Sequence, residues 1–231
     1  MFEEIIPQLN ICREQIQEAL CRSKRSDKVE LVAVTKTRPC ELVQFLSDNK
    51  LVNQVGENHA QEIVAKYPFG SDLIWNMIGQ LQTNKVRTIV DKVSLVQSLD
   101  RMSLAQELDK QAEKLSKKID CLIELNFAGE QSKGGVEKSK LFEFAQSIDA
   151  CEHLNVRGLM TVMPKTDEKK LLIDYYKEMR DIYLQFKEKF DDGSGKISIL
   201  SCGMSNDFEL AIEYGGSNMV RIGRKIFGER L

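Results

Sequence analysis

Lys36 closes the apolar run Leu31-Val32-Ala33-Val34-Thr35-Lys36. Side chains alternate along an extended strand, so Lys36 shares a face with Val32 and Val34. At the rim of an apolar face an amine is partly desolvated, which lowers its pKa from ~10.4 by up to a few units. A neutral amine is what imine formation with an aldehyde requires. The competing reading is a lysine that merely reaches out of the strand end into water.

A second set of residues suits an anion. Ser201-Cys202-Gly203-Met204-Ser205 ends one apolar run, and Met219-Val220-Arg221-Ile222-Gly223-Arg224 forms the next. Gly203 and Gly223 let the backbone approach an anion and present N–H groups. Ser201 and Ser205 offer hydroxyl donors. Arg221 alternates with Val220 and Ile222, so it faces the side opposite to them. The ordinary alternative is a pair of glycine turns, with Ser205 capping a helix that begins near Asn206. Asp207 and Glu209, in the first turn of that helix, would repel a phosphate directly above.

Gly56-Glu57-Asn58 and Ile78-Gly79-Gln80-Leu81-Gln82-Thr83-Asn84-Lys85 also end apolar runs in polar residues. Turn and cap chemistry is the commoner source of such patterns. No Gly-x-Gly-x-x-Gly follows a strand and no Walker sequence occurs, which argues against dinucleotides and nucleoside triphosphates. His59 and His153 are isolated and read as structural. Cys12, Cys21, Cys40, Cys121, Cys151 and Cys202 include no C-x-x-C pair, so reduced thiols are expected rather than disulfides or zinc.

These residues need a scaffold that gathers strand ends. Eight apolar runs read as strands: 30–36, 53–58, 73–79, 93–99, 120–127, 155–163, 196–203 and 218–223. Several are continuously apolar, as in strands buried on both faces. Helical patterns lie between them, at 101–118, 138–151 and 168–190. A further amphipathic helix, with Ile5, Ile6, Leu9, Cys12, Ile16 and Leu20 on one face, precedes them all. Eight strands in strict alternation with helices are the arithmetic of an α/β fold, a single (β/α)8 TIM barrel over 1–231 with residues 1–25 as an extra N-terminal helix packed on it, although a doubly wound open sheet would share the alternation. Such barrels carry function at the C-terminal ends of their strands, and often bind phosphate after the last two.

Composition narrows the partners. The 231 residues carry 33 basic and 35 acidic side chains, a formal net charge of −2, so nothing global favours nucleic acid or an anionic membrane. The acidic N-terminus lacks the pattern of a signal peptide, and no apolar run has spanning length. A cytoplasmic protein is expected.

Together, Val34-Thr35-Lys36-Thr37, Gly56-Glu57-Asn58, Ile78–Lys85, Arg157-Gly158-Leu159-Met160, Gly203-Met204-Ser205 and Met219–Gly223 resemble the pyridoxal phosphate homeostasis proteins (the YggS/PROSC family). The resemblance runs through nearly the whole chain, in order and spacing. It implies a fold-type III barrel similar to the N-terminal domain of alanine racemase, with pyridoxal 5′-phosphate (PLP) held as an aldimine on Lys36. It places the phosphate near Ser201, Ser205, Gly223 and the backbone of Arg224, with Asn58 beside the cofactor, and Gly203 and Met204 are counted with the cofactor-binding residues. Arg221 matches the arginine facing the pyridine nitrogen. A fixed cation there keeps that nitrogen unprotonated and the ring a poor electron sink. Three positions depart from the pattern: Arg224 where a small hydroxyl residue is common, Asn76-Met77 for His-Phe, and His59 for Tyr.

The function implied is a carrier of PLP in vitamin B6 homeostasis, without catalysis, delivering cofactor to apo PLP-dependent enzymes and acting as a monomer or weak dimer. Alanine racemase uses a second domain that supplies a catalytic tyrosine, and this sequence stops just after its eighth strand. The alternative is a small PLP-dependent racemase or lyase, which needs a second proton-transfer residue opposite Lys36.

Overall fold

The computed structural model describes residues 2–129 and 134–229. The outermost residues of the expected 1–231 domain lie outside that range. Nine strands form one sheet: β1 (Glu30–Val34), β2 (Gln54–Glu57), β3 (Ile74–Met77), β4 (Leu95–Leu99), β5 (Ile119–Asn126), β6 (Val136–Glu137), β7 (Leu154–Thr161), β8 (Ile199–Ser201) and β9 (Met219–Ile222). Their order is β4-β3-β2-β1-β9-β8-β7-β5-β6, and β4 also pairs with β5. That last pairing closes eight strands into a ring and leaves the two-residue β6 as a flap on β5. Every pairing is parallel. The fold is therefore the expected TIM barrel, and each of the eight expected runs overlaps one strand of the ring, with β5 and β7 starting one residue earlier than expected.

The helices are α1 (Ile5–Arg22), α2 (Cys40–Asp48), α3 (Ala60–Lys66), α4 (Val86–Ile89), α5 (Met102–Lys114), α6 (Leu141–Ile148), α7 (Lys169–Phe190), α8 (Phe208–Glu213) and α9 (Arg224–Phe227). α1 buries Ile5, Leu9, Cys12, Ile16, Ala19 and Leu20 against α8 and α9, the predicted stripe with Ala19 added and Ile6 only half-buried. Arg22 fastens its end to Glu209 at 3.0 Å and Glu213 at 2.8 Å. Leu9 is wholly buried, so Leu9→Ala would cost ~2–5 kcal/mol.

Strand alternation sorts the core into two layers. Val32, Leu95, Leu122, Met160 and Met219, from five different strands, pack together inside the ring. Ala33, Val55, Val96, Cys121, Ile123, Leu159 and Val220 belong to the larger cluster between strands and helices. The strand ends are trimmed relative to the sequence pattern. β1 stops at Val34 although Thr35 N–H still bonds Gly56 O at 3.1 Å, because Thr37 takes a φ of 63° and Arg38 N–H returns to Thr35 O at 3.0 Å. Lys36 thus sits in a tight turn one step past the ladder rather than within the strand.

Candidate functional site

The turn that carries Lys36 is gripped from outside the barrel. Thr35 follows the outward parity of Ala33, and its Oγ1 donates to Glu57 Oε1 at 2.7 Å. Lys66, at the buried end of α3, donates to Thr35 O at 2.8 Å, Glu57 Oε1 at 2.8 Å and Glu62 Oε2 at 2.7 Å. Glu62 Oε2 also accepts the Thr37 N–H at 2.7 Å. Both neighbours of Lys36 are therefore held, and Lys36 itself is half-buried at the rim. Burial pushes the Glu57 carboxyl up to about 7, against the pull of Lys66 and Thr35. Burial also raises Glu62, but its bonds from Lys66 and Thr37 outweigh this and hold it below its ordinary value.

On the next strand, whose register with β1 ends at Val34↔Gly56, Asn58 follows the end of β2 at the same rim. Gly79 presses on Asn58 so closely that a Cβ there would lie 2.4 Å from Asn58 O. Only glycine permits this approach, which ties the two central motifs together at the rim.

On the other side of β1 lies the glycine- and serine-rich rim. Gly203 adopts a φ of 94°, and a Cβ on it would meet Ala211 Cβ at 2.6 Å. Its carbonyl accepts the Arg221 N–H at 3.1 Å. Ser205 Oγ accepts the N–H groups of Gly223 at 3.2 Å and Lys225 at 3.4 Å. Gly223 in turn abuts Val34, since a Cβ on it would lie 3.1 Å from Val34 O. The backbone nest is thus adjacent to the strand that delivers Lys36.

Two sequence expectations at this rim change. Ser205 does not cap α8. Its helix begins at Phe208 after Asp207, whose Oδ1 takes the Met204 N–H at 2.6 Å and whose Oδ2 takes the Tyr176 hydroxyl at 2.7 Å. With Glu209 paired to Arg22 at 3.0 Å, both carboxylates expected to repel an anion are committed to other donors. Met204 and Arg224 expose their side chains, and Arg224 Nη1 lies 3.9 Å from Glu229.

Ser201 stands apart from the rim set with which the sequence grouped it. It is fully buried in the lumen, where its Oγ accepts Arg221 Nη1 at 2.6 Å and donates to Gln97 Oε1 at 2.7 Å. Its only proton is spent on Gln97. Arg221, 4% exposed, also donates to Ser201 O and Thr161 O, each at 2.9 Å. Burial depresses its pKa, which the nearby Cys202, Tyr176 and Glu124 oppose.

Sequence reading missed Lys66, Gln97 and Glu124. Lys66 was visible as the partner of Glu62 at i,i+4, a spacing that brings helix side chains together. Glu124 shares the lumen parity of Leu122 on β5, the strand diametrically across the ring from β1. Burial and then Asp100 push its carboxyl up to about 7, with Arg221 opposing. His153 meets Asp109 at 3.4 Å, a structural contact, and His59 is an exposed residue before α3. All six cysteines are free thiols. Among the described residues no His, Cys, Asp and Glu cluster could hold a metal, and no helix is long and apolar enough to cross a membrane.

The family described as "Alanine racemase, N-terminal domain" matches residues 11–230. A pyridoxal phosphate homeostasis protein of Aquifex aeolicus is 39% identical over 220 residues, covering 94% of both chains. The Escherichia coli K12 protein of the same name is 33% identical over 235 residues, covering 99% of this chain and 98% of its own. The solved structure of PipY from Synechococcus elongatus with PLP bound superposes with a TM-score of 0.77 at 26% identity, over 92% of this chain and all of that one. An alanine racemase from Clostridium difficile, 16% identical with a TM-score of 0.74, shares the barrel fold. The chain belongs to the alanine racemase N-terminal domain family and, within it, to the pyridoxal phosphate homeostasis proteins.

Proposed function

We propose that this protein binds PLP at the C-terminal rim of the barrel and serves PLP homeostasis as a carrier. Lys36 would hold the cofactor covalently through its ε-amine and the aldehyde. Ser205, the N–H groups of Gly223 and Lys225, and the rim at Gly203, Met204 and Arg224 would hold the phosphate. Asn58 would lie beside the ring and Arg221 at the pyridine nitrogen. The carrying observation is the contact of Gly223 with Val34, which joins the nest to the strand that ends at Lys36. The residues present fit the group. The Ser205 hydroxyl and two backbone donors converge, with long bonds of 3.2 and 3.4 Å that a charged phosphate oxygen would improve on. Ser201, its proton given to Gln97, would act on Arg221 rather than on the phosphate.

PLP, when bound, supplies an electrophilic aldehyde and an electron-withdrawing ring. The protein's part is to grip the phosphate, present Lys36 and keep a fixed cation at the ring nitrogen, which weakens the ring as an electron sink. That favours holding over turnover. The setting would be the cytoplasm, the recipients apo PLP-dependent enzymes, and the working unit one barrel domain as a monomer or weak dimer. One observation keeps a racemase or lyase in play: Glu124, on the strand opposite β1, titrates near neutrality.

The test combines chromophore and chirality. Purified protein given PLP should turn yellow, and Lys36→Ala should not. Borohydride should fix PLP to Lys36; fixation to Lys85 or Lys225 would sink the assignment. Loaded protein should leave L-alanine and L-serine unchanged, yet reactivate an apo PLP enzyme faster than buffer does. Racemisation or elimination near the usual ~10 s⁻¹, lost in Lys36→Ala and in Glu124→Gln, would establish the enzyme instead.

A further inference from the structure

Five hydrogen bonds cross the barrel lumen in a single direction. Arg221 Nη1 donates to Ser201 Oγ at 2.6 Å, and Ser201 Oγ to Gln97 Oε1 at 2.7 Å. Gln97 Nε2 donates to Asn76 Oδ1 at 2.9 Å, Asn76 Nδ2 to Gln54 Oε1 at 3.2 Å, and Gln54 Nε2 to Glu30 Oε2 at 3.1 Å. The residues come from β9, β8, β4, β3, β2 and β1. The series begins at a buried cation beneath the C-terminal rim and ends at a carboxylate on the first residue of β1. There Glu30 meets Lys28 at 2.7 Å, and Glu30 and Gln54 line a cavity of about 440 Å³ at the N-terminal mouth.

We propose that Gln97 and Asn76 are positioning residues for Arg221, acting through this relay with Glu30 as its distant counter-charge. Arg221 needs such help. No carboxylate of the described residues forms an ion pair with it, so carbonyl oxygens and one hydroxyl carry its charge. The Ser201 hydroxyl accepts from Arg221 with full strength only when its own proton is aimed away, and Gln97 Oε1 is the acceptor that aims it. Gln97 is wholly buried, and so is Asn76, which takes the Gln97 Nε2–H. Turning either amide round would set donor against donor, at the cost of an unsatisfied buried group. In the observed sense each amide turns its oxygen toward the cation and its nitrogen toward the anion. Aligned dipoles of this kind strengthen one another in a low-dielectric interior.

Polar lumen residues that only satisfied one another would affect stability alone. The relay predicts more: the guanidinium loses its fixed orientation when a link two residues away is cut. The first measurement uses protein without ligand. Arg221 side-chain 15N signals should show hindered rotation and slow proton exchange. In Gln97→Met, which keeps length but no acceptor for Ser201, exchange should rise about tenfold, the scale of one hydrogen bond to a charged group. Gln97→Glu keeps that acceptor and should hold Arg221 exchange below that of Gln97→Met. Should Gln97→Met fail to fold, Asn76→Ala cuts the next link and should raise exchange at least threefold. Unchanged Arg221 signals in the folded variant overturn the relay.

The second measurement rests on the carrier reading. With [15N]PLP bound, the ring-nitrogen shift should report an unprotonated ring in the unaltered protein and partial protonation at neutral pH in Gln97→Met. An identical shift in both would overturn the claim that the relay positions Arg221 for the cofactor. If PLP does not bind the unaltered protein at all, the carrier reading falls, while the ligand-free exchange data still decide the relay.

Discussion

Lys66 Nζ donates to the backbone carbonyl of Thr35 at 2.8 Å, so a buried ammonium on α3 holds the residue immediately before Lys36. The same nitrogen meets Glu57 and Glu62, and Glu62 reaches on to the Thr37 N–H. A turn with a left-handed residue is thereby fastened on both sides of the lysine that the site depends on.

Lys66→Met should therefore damage both stability and the site. It takes from Glu57, whose Oε2 already lacks a partner, its cationic neighbour, and where that carboxyl is ionised, above about pH 7, breaking a buried pair from one side costs ~3–5 kcal/mol. Urea unfolding of Lys66→Met and of Lys66→Met/Glu57→Gln should show the double variant recovering part of the loss. A single-variant loss below about 1 kcal/mol, the range of exposed ion pairs, would mean that the cluster bears little strain.

Stability should also depend on pH through Glu57 and Glu124. Both carboxyls are raised by burial from 4.5 to about 7. Between those values the folded protein keeps protons that the unfolded chain has released, so stability falls as pH rises. Their contribution is whole below pH 4.5 and is lost as pH climbs through about 7. Denaturation curves from pH 5 to 8 should show a shallower decline in Glu124→Gln than in the parent. Parallel slopes would remove Glu124 from the account.

Phosphate contacts should dominate PLP retention. Ser205 joins Gly223 and Lys225 at one point of the rim. A charge-assisted bond there is worth ~1.5–3 kcal/mol, so Ser205→Ala should weaken PLP at least about tenfold, measured by spectral titration. Pyridoxal without its phosphate should bind far worse. Equal affinity for the two forms would move the anion site elsewhere.

Gly79→Ala tests the link between the central motifs. Its methyl group would enter the space held by the Asn58 backbone, which must shift. Overpacking of this kind costs ~1–3 kcal/mol. PLP affinity should fall along with stability, because Asn58 stands at the rim where the cofactor is proposed to lie. A variant that loses stability yet keeps full affinity would separate Asn58 from the site.

The eight barrel strands and their order were legible in the sequence, because continuous apolar runs of strand length alternating with amphipathic helices leave few architectures. The turn at Lys36 was less so. Alternation gives its face, but the left-handed Thr37 that ends the strand early has no signal in Val34-Thr35-Lys36-Thr37. The residues themselves pointed to Lys36, Ser201, Gly203, Ser205, Arg221 and Gly223, the resemblance added Asn58, Met204 and Arg224, and both grouped Ser201 with Ser205 at the anion.

Tertiary structure separates that pair. Period-two alternation distinguishes two faces without saying which is the lumen, and only the pairing of β4 with β5 creates an inside. Once the ring closes, Ser201 faces Arg221 and Gln97, the latter 104 residues away, while Ser205 stays at the rim with Gly223 and Lys225. Lys66 shows the same limit. On the chain it is one more charged residue at a helix end, and its burial exists only because α3 lies over the ends of β1 and β2. The sequence by itself determined the eight alternating strands, the family and the strand that presents Lys36. Which polar groups share the desolvated interior was decided by closure of the barrel, because burial is a property of the closed ring and not of any one segment.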